Sequence, residues 1–224
     1  MTDHTPTTHG RADEATLAGL MRGRFLVVEG PDGSGKTTQY RRLSALAKRN
    51  GLEVCEVREP GGTAIGERVR DILLDTDHQE MALRTEMMLY MASRAQLVAE
   101  KLKPCLDRGA LVLADRYVTS TLVYQGRAGG LPRDEIMDVA KAACGDVWPD
   151  LVLIYDVDEQ TAASRLNPLL DRMESKGSAF HAKVRRGYLD EARDEPGYNV
   201  VIDATSDPDT VFARTCAALA ERLA

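Results

Sequence analysis

Short apolar runs alternate along the chain with stretches in which apolar residues recur every three or four positions. RFLVVE (24–29) is brief, β-branched and almost wholly apolar, the pattern of a strand buried on both faces. LEVCEV (52–57), ALVLAD (110–115), LVLIYDV (151–157) and NVVID (199–203) repeat that pattern. Between them helical spacing covers about 36–50, 64–74, 80–106, 132–144 and 207–223; Gly51 stops the first helix and Pro132 stands near the start of the fourth. Strands alternating with helices predict an α/β fold, a central parallel five-stranded sheet with helices on both faces. No repeat or linker interrupts 23–224, which reads as one domain. Residues 158–195 differ in character: charged, poor in apolar residues at their centre, and expected to be a mobile surface element. Residues 1–22 open with MTDHTPTTHG, lack the apolar stretch of a signal peptide and are expected to form a disordered tail.

Composition narrows the choice of partners. With 29 basic against 35 acidic residues the net charge is -6, which disfavours general nucleic-acid or membrane-surface binding. An anionic ligand must then be held by local basic residues. Apolar runs are strand-sized, too short for a membrane span. Cys55, Cys105, Cys144 and Cys216 are widely spaced without a CxxC pair, so core packing in a reducing compartment is expected, not a zinc site or a disulfide framework.

GPDGSGKTT (30–38) carries the sharpest chemistry. It fits G-x-x-x-x-G-K-[ST] through Gly30, Gly35, Lys36 and Thr37, follows a predicted strand and opens a helix. Glycines let the backbone wrap phosphate oxygens, and the helix N-terminus adds its positive end. Lys36 would reach the β- and γ-phosphates of ATP; the Thr37 hydroxyl and Asp115, which ends a predicted strand, would serve Mg²⁺. The fold class is therefore that of a P-loop NTPase-type three-layer α/β protein. No N-K-x-D segment marks a guanine-specific GTPase, and the chain is short for a motor. Arg58, Arg70, Arg94 and Arg116 are read as standing next to predicted strand ends, as a second phosphorylated substrate would require. Arg94 lies in EMMLYMASRAQLV, a helix apolar almost all round, where a guanidinium needs a carboxylate or a ligand. Tyr90 is on the same face, four residues earlier. The pair would stack and edge-bond a base, or else form a core tyrosine beside a structural ion pair; the residues alone leave both open.

Over essentially all of 24–222 the chain resembles the thymidylate kinase family. The resemblance rests on FLVVEGPDGSGKTT, REPGGTAIGERVR (58–70), the ASRAQLV helix and DRYVTSTLVYQG (115–126), with DRMESKGSAFHAKVRRGYL (171–189) similar to the family's lid and the helix after it. It implies transfer of the γ-phosphoryl group of ATP to dTMP, giving dTDP for dTTP synthesis, with Mg²⁺ as cofactor, in a cytoplasmic homodimer built through helices like 80–106 and 132–144. It implies roles position by position. The ATP site would comprise Gly30, Pro31, Asp32, Gly33, Ser34, Gly35, Lys36, Thr37 and Thr38, with Asp203, Ala204 and Thr205 near the adenine. Asp32, Glu59 and Pro60 would frame the dTMP site; Arg70 and Arg116 would hold its phosphate. Tyr90 would stack on thymine, Arg94 would bond its edge, and Ser120 and Thr121 would lie near the base. Tyr124 would crowd the 2′ side of the sugar, and Gln125 would add a contact. Lys36, Arg116, Arg165 and Arg172 would be catalytic, the last two from a lid over about 159–180. Some members carry an arginine where this chain has Gly33, and the lid here has only Arg165 and Arg172, with Asn167 and Pro168 between them and Lys176 as a further cation. The acceptor oxygen is already ionised, so no general base is required, and His78 and His181 are expected to be surface or packing residues. Rival readings are a kinase for another monophosphate, such as dUMP or dGMP, and a non-catalytic nucleotide-binding protein on the same fold.

Overall fold

The computed structural model describes residues 8–165, 172–173 and 177–224. Within them the chain runs α1 (Thr8–Met21), β1 (Phe25–Glu29), α2 (Lys36–Arg49), β2 (Val54–Arg58), α3 (Ala64–Leu74) and α4 (Leu83–Leu97). A π-helical segment, Val98–Leu102, joins α4 to α5 (Lys103–Asp107), which leads to β3 (Leu111–Asp115). A short α6 (Val118–Thr121) and a second π-helical segment, Leu122–Ala128, precede α7 (Arg133–Cys144) and β4 (Leu151–Asp156). Then follow α8 (Glu159–Arg165), α9 (Ser178–Asp194), β5 (Asn199–Asp203) and α10 (Pro208–Leu223).

All five strands are parallel, in the order β2-β3-β1-β4-β5. Side chains alternate across each strand, and both faces are covered, which is why the strands read as unbroken apolar runs. Phe25, Val27, Val112, Ala114, Val152 and Ile154 enter the core shared with α4, α7 and α9. Leu26, Val28, Leu111, Leu113, Leu151 and Leu153 enter the opposite core, shared with α1, α2 and α10. Because β1 and β3 are neighbours, the loop after Glu29 and the turn after Asp115 lie side by side at the carboxyl end of the sheet, where open α/β sheets bind ligands.

Two expectations differ from the structure. The tail foreseen over 1–22 is helical from Thr8 to Met21, and Leu17, Ala18 and Met21 are buried against α2 and α10. Leu20 packs against the same core, but these few apolar positions do not stand out beside a polar Thr/His-rich start. The mobile element foreseen over 158–195 contains α8 and α9, and α9 buries Val184 and Tyr188. Its apolar residues are sparse but share one face. Asn167, Pro168 and Lys176 lie outside the described residues. The four cysteines are unbridged, with Cys105 and Cys144 buried and Cys55 and Cys216 half-buried.

Candidate active site

β1 delivers the chain into a glycine turn whose backbone, as it stands here, is crowded at two glycines. Gly30 adopts φ +134° and a Cβ there would stand 2.4 Å from the Tyr155 carbonyl oxygen. Gly33 adopts φ +78°, and a Cβ would stand 2.4 Å from the Ala162 carbonyl oxygen of α8, which leaves no room for a side chain at this turn. Lys36 begins α2 and is 7% exposed; its ammonium donates to the Pro31 carbonyl at 2.9 Å and lies 3.6 Å from Asp32. Burial and the nearby Arg116 pull its pKa down from the usual lysine value. The Ser34 hydroxyl is buried and has no hydrogen-bond partner among the described residues.

Two cavities flank this turn. One is a groove bordered by Ser34, Gly35, Thr38, Arg165, Ala204 and Thr205. Arg165 donates to the Ala204 carbonyl at 3.2 Å. Asp203, expected beside them, turns away: its carboxylate accepts from the Thr205 amide and hydroxyl and from Arg214. The other cavity is bordered by Asp32, Asp115, Arg116, Ser120 and Tyr124, and by Glu59, Pro60, Arg70, Tyr90, Thr121 and Gln125. Asp32 thus belongs to the turn and to the second cavity together.

The Arg116 guanidinium dominates the second cavity. Arg116 is the one non-glycine residue with positive φ among the described residues, at +73°. Its Nη1 donates to Tyr188 Oη at 2.9 Å and Ser120 Oγ at 3.2 Å; its Nη2 pairs with Asp32; its Cζ lies 5.3 Å from the Tyr124 ring centre. Burial would raise the Asp32 pKa, but Arg116 and Lys36 outweigh it and hold the carboxyl below the usual range.

Arg94 answers one question left open by the sequence. It has a carboxylate partner: Nε donates to Glu59 at 2.7 Å, and the pair is buried. Nη2 also donates to the Tyr117 carbonyl at 2.9 Å, and Nη1 to Thr121 Oγ1 at 3.2 Å and Met91 Sδ at 3.0 Å. Arg94 does not border the cavity, whereas Tyr90, Glu59 and Thr121 do, so it stands behind the wall it was expected to form. Burial pushes Glu59 up to about 7 against the pull of Arg94. Arg172, expected beside the transferred phosphoryl group, lies elsewhere. Its Nε donates to the Leu73 carbonyl at 2.7 Å and its Nη2 pairs with Glu86 at 2.7 Å, both on the α3–α4 side of the molecule.

A phosphate-binding turn sharing an arginine–aspartate pair with a second cavity is the layout of a two-substrate phosphotransferase, and comparison with known proteins agrees. Residues 28–214 match the family model for thymidylate kinase. The chain belongs to the thymidylate kinase family. It is 44% identical over 207 residues to the thymidylate kinase of Deinococcus radiodurans, covering 91% of this chain and 99% of that one. It is 41% identical over 207 residues to that of a Geobacillus species, with the same coverage. The crystal structure of the thymidylate kinase of Ehrlichia chaffeensis superposes with a TM-score of 0.71 at 31% identity, covering 88% of this chain and 98% of that one.

Membership in the thymidylate kinase family raises the question of a metal. Among the described residues no three His, Cys, Asp or Glu side chains gather as a cation site. Asp115 is half-buried at the cavity, and its carboxylate makes no hydrogen bond or ion pair with a described residue. Thr37 is exposed on the first turn of α2. One hydroxyl and one carboxylate suit Mg²⁺, which takes few protein oxygens and completes its shell with phosphate and water.

Glu29 and Tyr188 were missed in the sequence. Glu29 is 0% exposed; it accepts from the Tyr117 amide at 2.8 Å, the Ser120 amide at 3.0 Å, Ser120 Oγ at 2.6 Å and Tyr188 Oη at 2.9 Å. It therefore ties the turn carrying Arg116 to β1 and α9. A carboxylate closing a doubly buried strand was the available signal. Tyr188 lies in the quoted segment 171–189, but nothing in that segment singles it out.

Proposed function

We propose that this protein transfers the γ-phosphoryl group of ATP to dTMP, releasing dTDP and ADP in the supply of dTTP for replication. The observation that carries the reading is that Asp32 and Arg116, paired with each other, border the cavity beside the phosphate-binding turn. ATP occupies the groove, with its phosphates on the amides of Gly30 to Thr38 and its adenine against Ala204 and Thr205. The dTMP occupies the other cavity: phosphate toward Arg116 and Arg70, sugar by Tyr124, base between Tyr90 and Thr121.

The acceptor oxygen carries its charge already, so the protein's task is to bring two polyanions into line. Lys36 and Arg116 offset their repulsion, and Arg165 is the lid cation on the donor side. Mg²⁺ held by Thr37 and Asp115 would neutralise charge on the ATP phosphates. Arg172 is not assigned to the reacting phosphates, since Glu86 engages it. Arg94 keeps a route to the base: its Nη1 spends one hydrogen bond on Met91 Sδ, a weak acceptor that a pyrimidine carbonyl would outcompete. A lid over about 159–180, of which 166–171 and 174–176 lie outside the described residues, would close over a single monophosphate-kinase domain to keep water from the transferred group.

A homodimer in the cytoplasm completes the reading. Ile65 and Ile72 of α3 and Met88 of α4 are exposed, 57%, 43% and 50%, on two helices that pack together. Sedimentation at micromolar protein should give twice the chain mass; a monomer would remove this part. A coupled ADP-release assay with dTMP, dUMP and dGMP, with and without Mg²⁺, tests the rest. Mg²⁺-dependent turnover fastest with dTMP supports the reading. Equal or greater turnover with another monophosphate displaces dTMP, and binding of both nucleotides without product would indicate a non-catalytic protein.

A further inference from the structure

Glu86 has no place in the chemistry described so far, yet it is 1% exposed in the first turn of α4. A buried carboxylate persists only when paired and hydrogen-bonded. Its Oε1 accepts from Gln125 Nε2 at 2.7 Å, and its Oε2 pairs with Arg172 at 2.7 Å. Gln125, itself 1% exposed, borders the acceptor cavity together with Thr121, Tyr90 and Met173, the neighbour of Arg172.

An ionised carboxylate only accepts hydrogen bonds, so the amide of Gln125 must turn its NH₂ toward Glu86. Its carbonyl oxygen is then the end left for a ligand, and no described residue donates to it. We infer that Glu86 is a specificity-determining positioning residue: it locks the Gln125 amide so that the cavity offers an acceptor to a base edge carrying an N–H. Arg172 pairs with the other oxygen of Glu86 and so braces the carboxylate that orients Gln125. A thymine presents an imide N3–H to that acceptor. A cytosine presents a bare ring nitrogen at the same position, and two lone pairs would face each other. The inference rests on the dTMP reading proposed above and names which atoms choose the base.

The test compares kcat/KM for dTMP and dCMP in the wild type, in Glu86→Gln, and in the paired variant Glu86→Gln with Arg172→Met, which removes both buried charges. In Glu86→Gln a neutral amide faces Gln125 and either end of that amide can turn inward. The dTMP-over-dCMP preference should fall about tenfold or more in both variants, chiefly through KM for dTMP, with KM for ATP unchanged. Retention of the wild-type preference in a folded variant overturns the inference, as does a loss of kcat shared equally by both substrates. A variant-free arm uses dTMP methylated at N3 with wild-type enzyme: a large loss against dTMP is expected, and equal use overturns the proposal even if neither variant folds. If the wild type makes no dTDP at all, the parent reading fails instead, and the two failures are distinct.

Discussion

The two sides of the cleft are built differently. On the donor side the binding groups are backbone and short side chains with bonds still to make: Ser34 Oγ lacks a partner among the described residues, Thr37 and Thr38 are exposed, and Lys36 spends one bond on a carbonyl of its own turn. On the acceptor side nearly every charge is already matched: Arg116 with Asp32, Arg94 with Glu59, Arg172 with Glu86, and Glu29 with three donor residues. A triphosphate supplies its own strong charges and needs only a cradle. A base must be told from its relatives, and that requires donors and acceptors fixed beforehand.

That contrast can be broken from either side. Lys36→Ala should lower kcat by roughly 10²-fold or more, since it removes a charge directed at the transferring group; steady-state kinetics giving a near-normal kcat would erase the donor side's assigned role. Arg94→Ala should act on the other side alone, raising KM for dTMP by about 10- to 100-fold through loss of the Glu59 and Thr121 contacts. An equal rise in KM for ATP would mean that the two sides are not separable. Glu29→Gln leaves Ser120, Tyr188 and the Tyr117 amide with a neutral partner. It should cost about 1–3 kcal/mol in a denaturant melt and about tenfold in kcat, because Arg116 loses its fixed turn. Unchanged kinetics would reduce Glu29 to a purely structural carboxylate.

The smallest effect concerns pH. Asp32 is held below the usual carboxylate range in the folded protein, so its contribution to stability is complete above its unfolded pKa of 3.8 and is lost as pH falls below it. The gap in melting temperature between wild type and Asp32→Asn should therefore shift against the wild type below about pH 4. A pH-independent gap would show that Arg116 and Lys36 do not stabilise the carboxylate.

The sheet was legible because strands buried on both faces leave continuous apolar runs, and all five strands fall within two residues of where the pattern puts them. The glycine turn was legible because Gly30, whose backbone tolerates no side chain, opens a G-x-x-x-x-G-K-T pattern after a strand. Much of the acceptor cavity followed from the family resemblance, which brought Tyr90, Thr121, Tyr124 and Gln125 to one place. What escaped was the division of hydrogen bonds. A sequence shows that Arg94 needs a partner, but not that Glu59, Tyr117, Thr121 and Met91 take its donors. It shows two arginines in a lid, but not that one of them reaches back to a carboxylate on α4. Pairings such as Arg94 with Glu59 and Arg172 with Leu73 join residues 35 and 99 positions apart, beyond any local pattern.

The most direct trial of a shared cleft is product formation itself. Purified protein given ATP, Mg²⁺ and dTMP should yield dTDP and ADP in equal amounts, with little ADP when dTMP is withheld. ADP released at the same rate without dTMP, or no dTDP at all, would contradict the account.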